Sequence, residues 1–141
     1  MLNLDDVPSL SAASKDKGLA QVGDALVNFI YSIARSQVLS KRTGKKVNRT
    51  ILSEALKSAD LRHLARPRAN AHDLADTVEA IVAYAWGKKV LTIEEMILIL
   101  VKNLDLGKTE ARSIVEENFY ATEAFKSLLE EIKVKFQHTL L

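Results

Sequence analysis

Cysteine is absent from the 141 residues, which excludes disulfides, thiolate nucleophiles and cysteine-ligated zinc or iron-sulfur centres. Two prolines and five glycines leave few interruptions to regular structure. No apolar run reaches the roughly 20 residues that span a bilayer, and residues 1–10 lack the basic and apolar regions of a signal peptide. A cytoplasmic protein is the expectation. Histidine is scarce, and His63, His72 and His138 show no metal-ligand spacing. Aromatic residues make up only 6% of the chain, and Tyr31, Tyr84 and Trp86 fall at helical positions that suit a core or a dimer contact better than a base-stacking platform.

What is present is a globular composition, 48% hydrophobic and 27% charged, consistent with a single domain over residues 1–141. The net charge of +2 hides an asymmetry. Residues 1–72 carry twelve Lys/Arg against six Asp/Glu, whereas residues 73–141 carry eight against twelve. The basic side chains cluster as Lys41, Arg42, Lys45, Lys46 and Arg49 and again as Arg62, Arg66 and Arg68. A polyanion binder needs such patches, although a solvated loop reads equally well from charge alone.

Sustained two-residue alternation is missing and helical spacing recurs, so the fold is expected to be all-α. A first long helix is expected over Asp16 to Arg42, burying Leu19, Val22, Leu26, Phe29, Ile30, Ile33 and Val38, with Gly44 as its stop. Asn48 suits the cap of a second helix carrying Ile51, Leu52, Ala55 and Leu56, with a break near Ser58-Ala59-Asp60. Arg66-Pro67-Arg68 marks a turn. A third helix over Ala71 to Trp86 presents Leu74, Val78, Ile81, Val82 and Ala85, capped by Gly87. Thr92-Ile93-Glu94-Glu95 matches a capping box before an apolar helix, Met96 to Leu104, that Gly107 ends. A short helix over Thr109 to Asn118 and a last one over Thr122 to Gln137 complete the expected order. Residues 1–15 are expected to be loosely ordered, 16–104 to form the core and 105–141 to add the C-terminal helices.

Two acidic motifs stand inside these apolar helices: Gly23-Asp24-Ala25 in the first and Ala75-Asp76-Thr77-Val78-Glu79-Ala80 in the third. Residues three apart share a helix face, so Asp76 and Glu79 project together, with Asp73 one turn back. Asp24 joins them if the two helices pack side by side. Such carboxylates suit magnesium, which takes hard oxygen ligands and needs only one or two from protein. From spacing alone, a polar helix face with Asp24 paired to a nearby cation is the commoner arrangement. Gly107-Lys108-Thr109 lacks the earlier glycine and the strand of a phosphate-binding loop, and Asn48-Arg49-Thr50 is an accidental glycosylation sequon.

The order, spacing and helical context of Gly23-Asp24-Ala25, a basic segment, and Ala75-Asp76-x-x-Glu79-Ala80-Ile81 resemble the catalytic domain of the ribonuclease III family over about residues 16–100. The resemblance implies an all-helical homodimer that cleaves double-stranded or structured RNA with Mg²⁺ or Mn²⁺. It implies Asp24, Asp76 and Glu79 as catalytic metal ligands. The family's first motif also has glutamates four and seven residues before the aspartate, where this chain has Ala20 and Lys17. Alanine at the first place is closer to the mini-ribonuclease III branch, which lacks an appended double-stranded-RNA-binding domain. RNA contact then falls to Lys41, Arg42, Lys45, Lys46, Arg49, Arg66 and Arg68. The alternative is a non-catalytic ribonuclease III-like module that binds RNA or a protein and has lost cleavage.

Overall fold

The structure, a computed structural model, describes residues 1–107 and 114–138. Among the described residues six α-helices follow in order, α1 Leu10–Ala13, α2 Lys17–Leu39, α3 Arg49–Ser58, α4 Ala71–Gly87, α5 Ile93–Gly107 and α6 Ile114–His138, with one 3₁₀ turn at Arg62–Leu64. No strand occurs among the described residues, as the periodicity predicts. None of the described helices is long and apolar enough to cross a membrane.

α4 is the centre. Every residue from Val78 to Ala85 is buried, and α4 packs against α1, α2, α3 and α6, while α2 and α6 both pack on α5. A helix that is apolar all round can only be satisfied by neighbours on every side. Its start is fixed by a reciprocal capping box between Asn70 and Asp73. The expected box at α5 also forms, Thr92 N–H donating to Glu95 and Glu95 N–H to the Thr92 hydroxyl at 2.9 and 3.1 Å. Asn48 caps α3 as expected, accepting from the Thr50 N–H at 2.7 Å.

Several expectations are corrected. α2 stops at Leu39, before Arg42 and without Gly44, because Ser40 takes a left-handed turn (φ 53°) and the chain doubles back along the helix. The buried stripe of α2 is also rotated: Val27, Tyr31 and Ala34 are inside, whereas Phe29 is 51% exposed and Val22 and Ile33 are only partly covered. Gly87 lies within α4, and Lys88 caps it. α5 begins at Ile93, directly after its Thr92 cap, and not at Met96.

The two expected C-terminal helices are continuous from Ile114, since Thr122 does not cap a new helix; its hydroxyl donates back to the Asn118 carbonyl at 2.8 Å. The part of the expected short helix from Thr109 to Ser113 falls outside the described residues. Residues 1–15 are not loose. Val7, Leu10 and Ala13 are buried, the Tyr84 hydroxyl donates to the Val7 carbonyl at 3.0 Å, and the Ser14 hydroxyl donates to the Leu64 carbonyl at 2.8 Å. Tyr31 and Tyr84 are core residues, Tyr31 against Phe125 and Tyr84 stacked on Phe136.

The crossing of α2 and α4 is closest at Gly23. A Cβ there would stand 1.8 Å from the Glu79 carbonyl oxygen and 2.3 Å from its carbon. Those atoms are backbone and cannot swing aside. Gly23→Ala is expected to lower stability by about 2 kcal/mol or more, the range for overpacking a well-filled contact, measured as a shift of the denaturant midpoint with unchanged slope.

Candidate active site

Because Gly23 lets α2 sit on the α4 backbone, the next residue, Asp24, is delivered beside Glu79. Asp24 is exposed and Asp76 is half-exposed, whereas Glu79 is only 8% exposed. Both aspartates lie close enough to the Glu79 carboxyl to act on it. Burial first, and then the hydrogen bonds and negative charges of Asp24 and Asp76, push Glu79 up to about 8. Beyond burial, the groups that act on it most are these two acids. Asp24, Asp76 and Glu79 are thus neighbours but not at metal-holding distances, and the commoner arrangement, a solvated helix face paired to lysine or arginine, does not describe buried Glu79.

Their openings differ, however. Asp24 and Glu79 line a cleft of about 650 Å³ whose other walls are Lys46, Val47, Asn48, Arg49, Thr50, Leu52, His72 and Ala75. Asp76 instead lines an adjoining hollow of about 270 Å³ with Lys15, Asp16, Lys17, Arg66, Asp73 and Thr77. His72 stands between, its Nε2 3.6 Å from Asp76 Oδ2. Asp24 is held from the other side by Asn28, whose Nδ2 donates to its carbonyl at 2.8 Å and its Oδ1 at 3.2 Å. With these partners engaged, no three His, Asp or Glu side chains among the described residues close to metal-holding distances. As a donor set the acids still suit a hard cation: they are oxygen donors from two helices at an open cleft.

The basic candidates divide by their partners. Lys46 and Arg49 are exposed and line the same cleft as Asp24 and Glu79. Lys41, Arg42 and Arg68 are exposed away from it. Lys45 is engaged internally: its Nζ lies 3.0 Å from Glu117 Oε1, which Arg35 Nε also reaches at 2.9 Å. Burial works against ionisation of Glu117, but the bonds and charges of Lys45 and Arg35 outweigh it and hold that carboxyl below its usual range. Arg66 pairs with Asp73, whose carboxyl is lowered by the Asn70 N–H and, against a burial effect, by Arg66.

Lys17, at one place where an acid is expected, adds a cation to the hollow beside Asp76. Ala20, at the other, packs against the core. The residues not anticipated are His72, Asn28, Asn48 and Thr50. For His72 and Asn28 a signal existed: each stands four residues from a candidate acid on the same helix, within reach of it.

The elevated Glu79 pKa makes a prediction for the cation-free protein. The folded chain keeps a proton that the unfolded chain releases near the ordinary value of 4.5, so this contribution is complete below 4.5 and is lost as pH rises toward about 8. Denaturant titrations are expected to show stability falling across that window and levelling above it. Glu79→Gln is expected to flatten the fall.

A family model described as ribonuclease III matches residues 17–138, from the start of α2 to the end of α6. No curated protein matches the chain.

Proposed function

The chain belongs to the ribonuclease III family, and from that premise we propose that it is a metal-dependent endoribonuclease acting on double-stranded or structured RNA. The observation that carries the reading is Glu79, buried beside Asp24 and Asp76 and in none of the ion pairs among the described residues. A carboxylate placed so costs stability unless something positive joins it. A divalent ion and a bound phosphate are a pair that such an arrangement accommodates.

Asp24, Asp76 and Glu79 are the proposed ligands of Mg²⁺ or Mn²⁺, which when bound supplies charge neutralisation at the scissile phosphate and activation of water. Asp24 and Glu79 hold the floor of the cleft, and Asp76 supports Glu79 from the adjoining hollow. Lys46 and Arg49 in the same cleft take phosphates that flank the cut, and Lys41, Arg42 and Arg68 extend the basic surface. An A-form duplex is gripped in this manner, through phosphates and 2′-hydroxyls and with little reading of sequence. Lys45 and Arg66 have the weaker claim to RNA, since Glu117 and Asp73 already hold them.

A homodimer belongs to the same proposal. α2 and α5 pack together, and each leaves a large apolar side chain in solvent, Phe29 at 51% and Leu98 at 56%. A second copy is the proposed cover for that face. Phe29→Asp is expected to convert a dimer into monomers in sedimentation velocity; an unchanged mass would remove Phe29 from the interface.

One observation favours a second reading, a module that binds RNA without cutting it. Ala20 and Lys17 stand at the expected acidic positions, and the acids do not close into a three-ligand group. The two readings separate when purified protein meets a duplex RNA with and without Mg²⁺ or Mn²⁺. Metal-dependent cutting is expected, reduced about a thousandfold or more by Asp24→Asn with Glu79→Gln, the scale of removing several kcal/mol of charge stabilisation. Binding without cutting at any metal concentration would establish the second reading.

A further inference from the structure

The basic rim owes its place to a ladder of short polar side chains on α2. Asn28, Ser32 and Ser36 recur every four residues along one face of the helix. Each takes hold of an alternate residue of the returning strap 43–47. The Ser36 hydroxyl donates to the Thr43 carbonyl at 2.9 Å and accepts the Thr43 N–H at 3.0 Å. The Ser32 hydroxyl does the same for Lys45, at 3.1 and 2.9 Å. Asn28 Oδ1 accepts the Val47 N–H at 2.7 Å. Four helical residues rise about 6 Å and two extended residues about 6.6 Å, so the rungs stay in register as the strap runs antiparallel to the helix.

Asp24 is the next position on that stripe, four residues before Asn28. The Asn28 amide therefore spans two functions with one side chain. Its oxygen fixes the strap at buried Val47, and its nitrogen donates to the Asp24 carboxylate at 3.2 Å. The Val47 bond settles the orientation of the amide, because only the oxygen can accept. Lys46 lies between the last two rungs and lines the cleft with Asp24 and Glu79.

We infer that Asn28 is a positioning residue that sets the phosphate-gripping rim at Lys46 in register with the carboxylate at Asp24. The inference rests on the RNA-cleaving reading above and adds to it the element that fixes the distance between grip and cut. Asn28 touches neither RNA nor the reacting atoms. It acts through Lys46 on one side and Asp24 on the other.

The test is RNA binding by the full chain carrying Glu79→Gln, so that duplex RNA is held and not cut. In that background Asn28→Ala is expected to weaken binding about five- to tenfold, the equivalent of one hydrogen bond. It should also lower the slope of log Kd against log salt by about 0.9, the loss of one phosphate contact. Lys46→Ala is expected to do the same, and the double substitution to add nothing more, since both remove one contact. A general loss of folding would reduce the bound fraction without changing the slope.

Asn28→Gln serves where Asn28→Ala does not fold: an amide oxygen can still accept and an amide nitrogen still donate, with no charge added beside Asp24, so the salt slope should return to that of the parent. Losses that multiply in the double variant, a slope unchanged by Asn28→Ala in folded protein, or a slope still reduced in Asn28→Gln would each overturn the role of Asn28. Failure of the Glu79→Gln parent to bind duplex RNA at low salt would overturn the RNA reading as well, and with it this one.

Discussion

The contact between Gly23 and the backbone of Glu79 is the constraint from which the rest of the site follows. Two helices normally keep 8–10 Å between axes because side chains separate them. Here one partner contributes no Cβ at the crossing, and a Cβ would fall 1.8 Å from a carbonyl oxygen. Close approach has a directional consequence. The residue after Gly23 is turned to the edge of the contact, beside the side chain that α4 puts there. Asp24 and Glu79 become neighbours because of what residue 23 lacks.

That closeness is electrostatically unfavourable in the isolated chain. Glu79 is buried on the central helix, and the neighbours that act on it most are two further acids, so its carboxyl holds a proton to about 8. Evolution could have relieved this with a lysine or arginine paired to these acids. Instead two exposed cations, Lys46 and Arg49, line the same cleft. Charge of both signs thus lines one cleft, with no ion pair among the described residues between Lys46 or Arg49 and these acids. A ligand that is itself negative with an attached cation satisfies both signs, while an internal ion pair would satisfy the acids and close the cleft.

The fold was readable from helical spacing, capping residues and the near absence of proline and glycine, because these act within a few residues. Asn48, Asn70 and Thr92 mark helix starts by chemistry that needs no tertiary partner. The acid pair Asp76 and Glu79 was readable for the same reason, and Asp24 through its motif. What was not readable depended on contacts distant in sequence. Phe29 fits the apolar pattern of α2, yet the packed helix turns its buried face toward Val27, Tyr31 and Ala34 and leaves Phe29 outside. The order of residues 1–15 depends on Tyr84 and Leu64, far along the chain.

Charge counting was the weakest guide, and the reason is instructive. Seven cations were candidates for RNA, but a formal charge says nothing of whether a carboxylate already holds it. Glu117, 72 residues beyond Lys45, takes both Lys45 and Arg35, and Asp73 takes Arg66. These pairs do structural work: the first ties the strap to α6, and the second ties the turn before α4 to its capping box. Removing them from the list concentrates the available charge next to the cleft on Lys46 and Arg49. The basic patch seen in the sequence is therefore two populations, one that builds the rim and one that is presented by it.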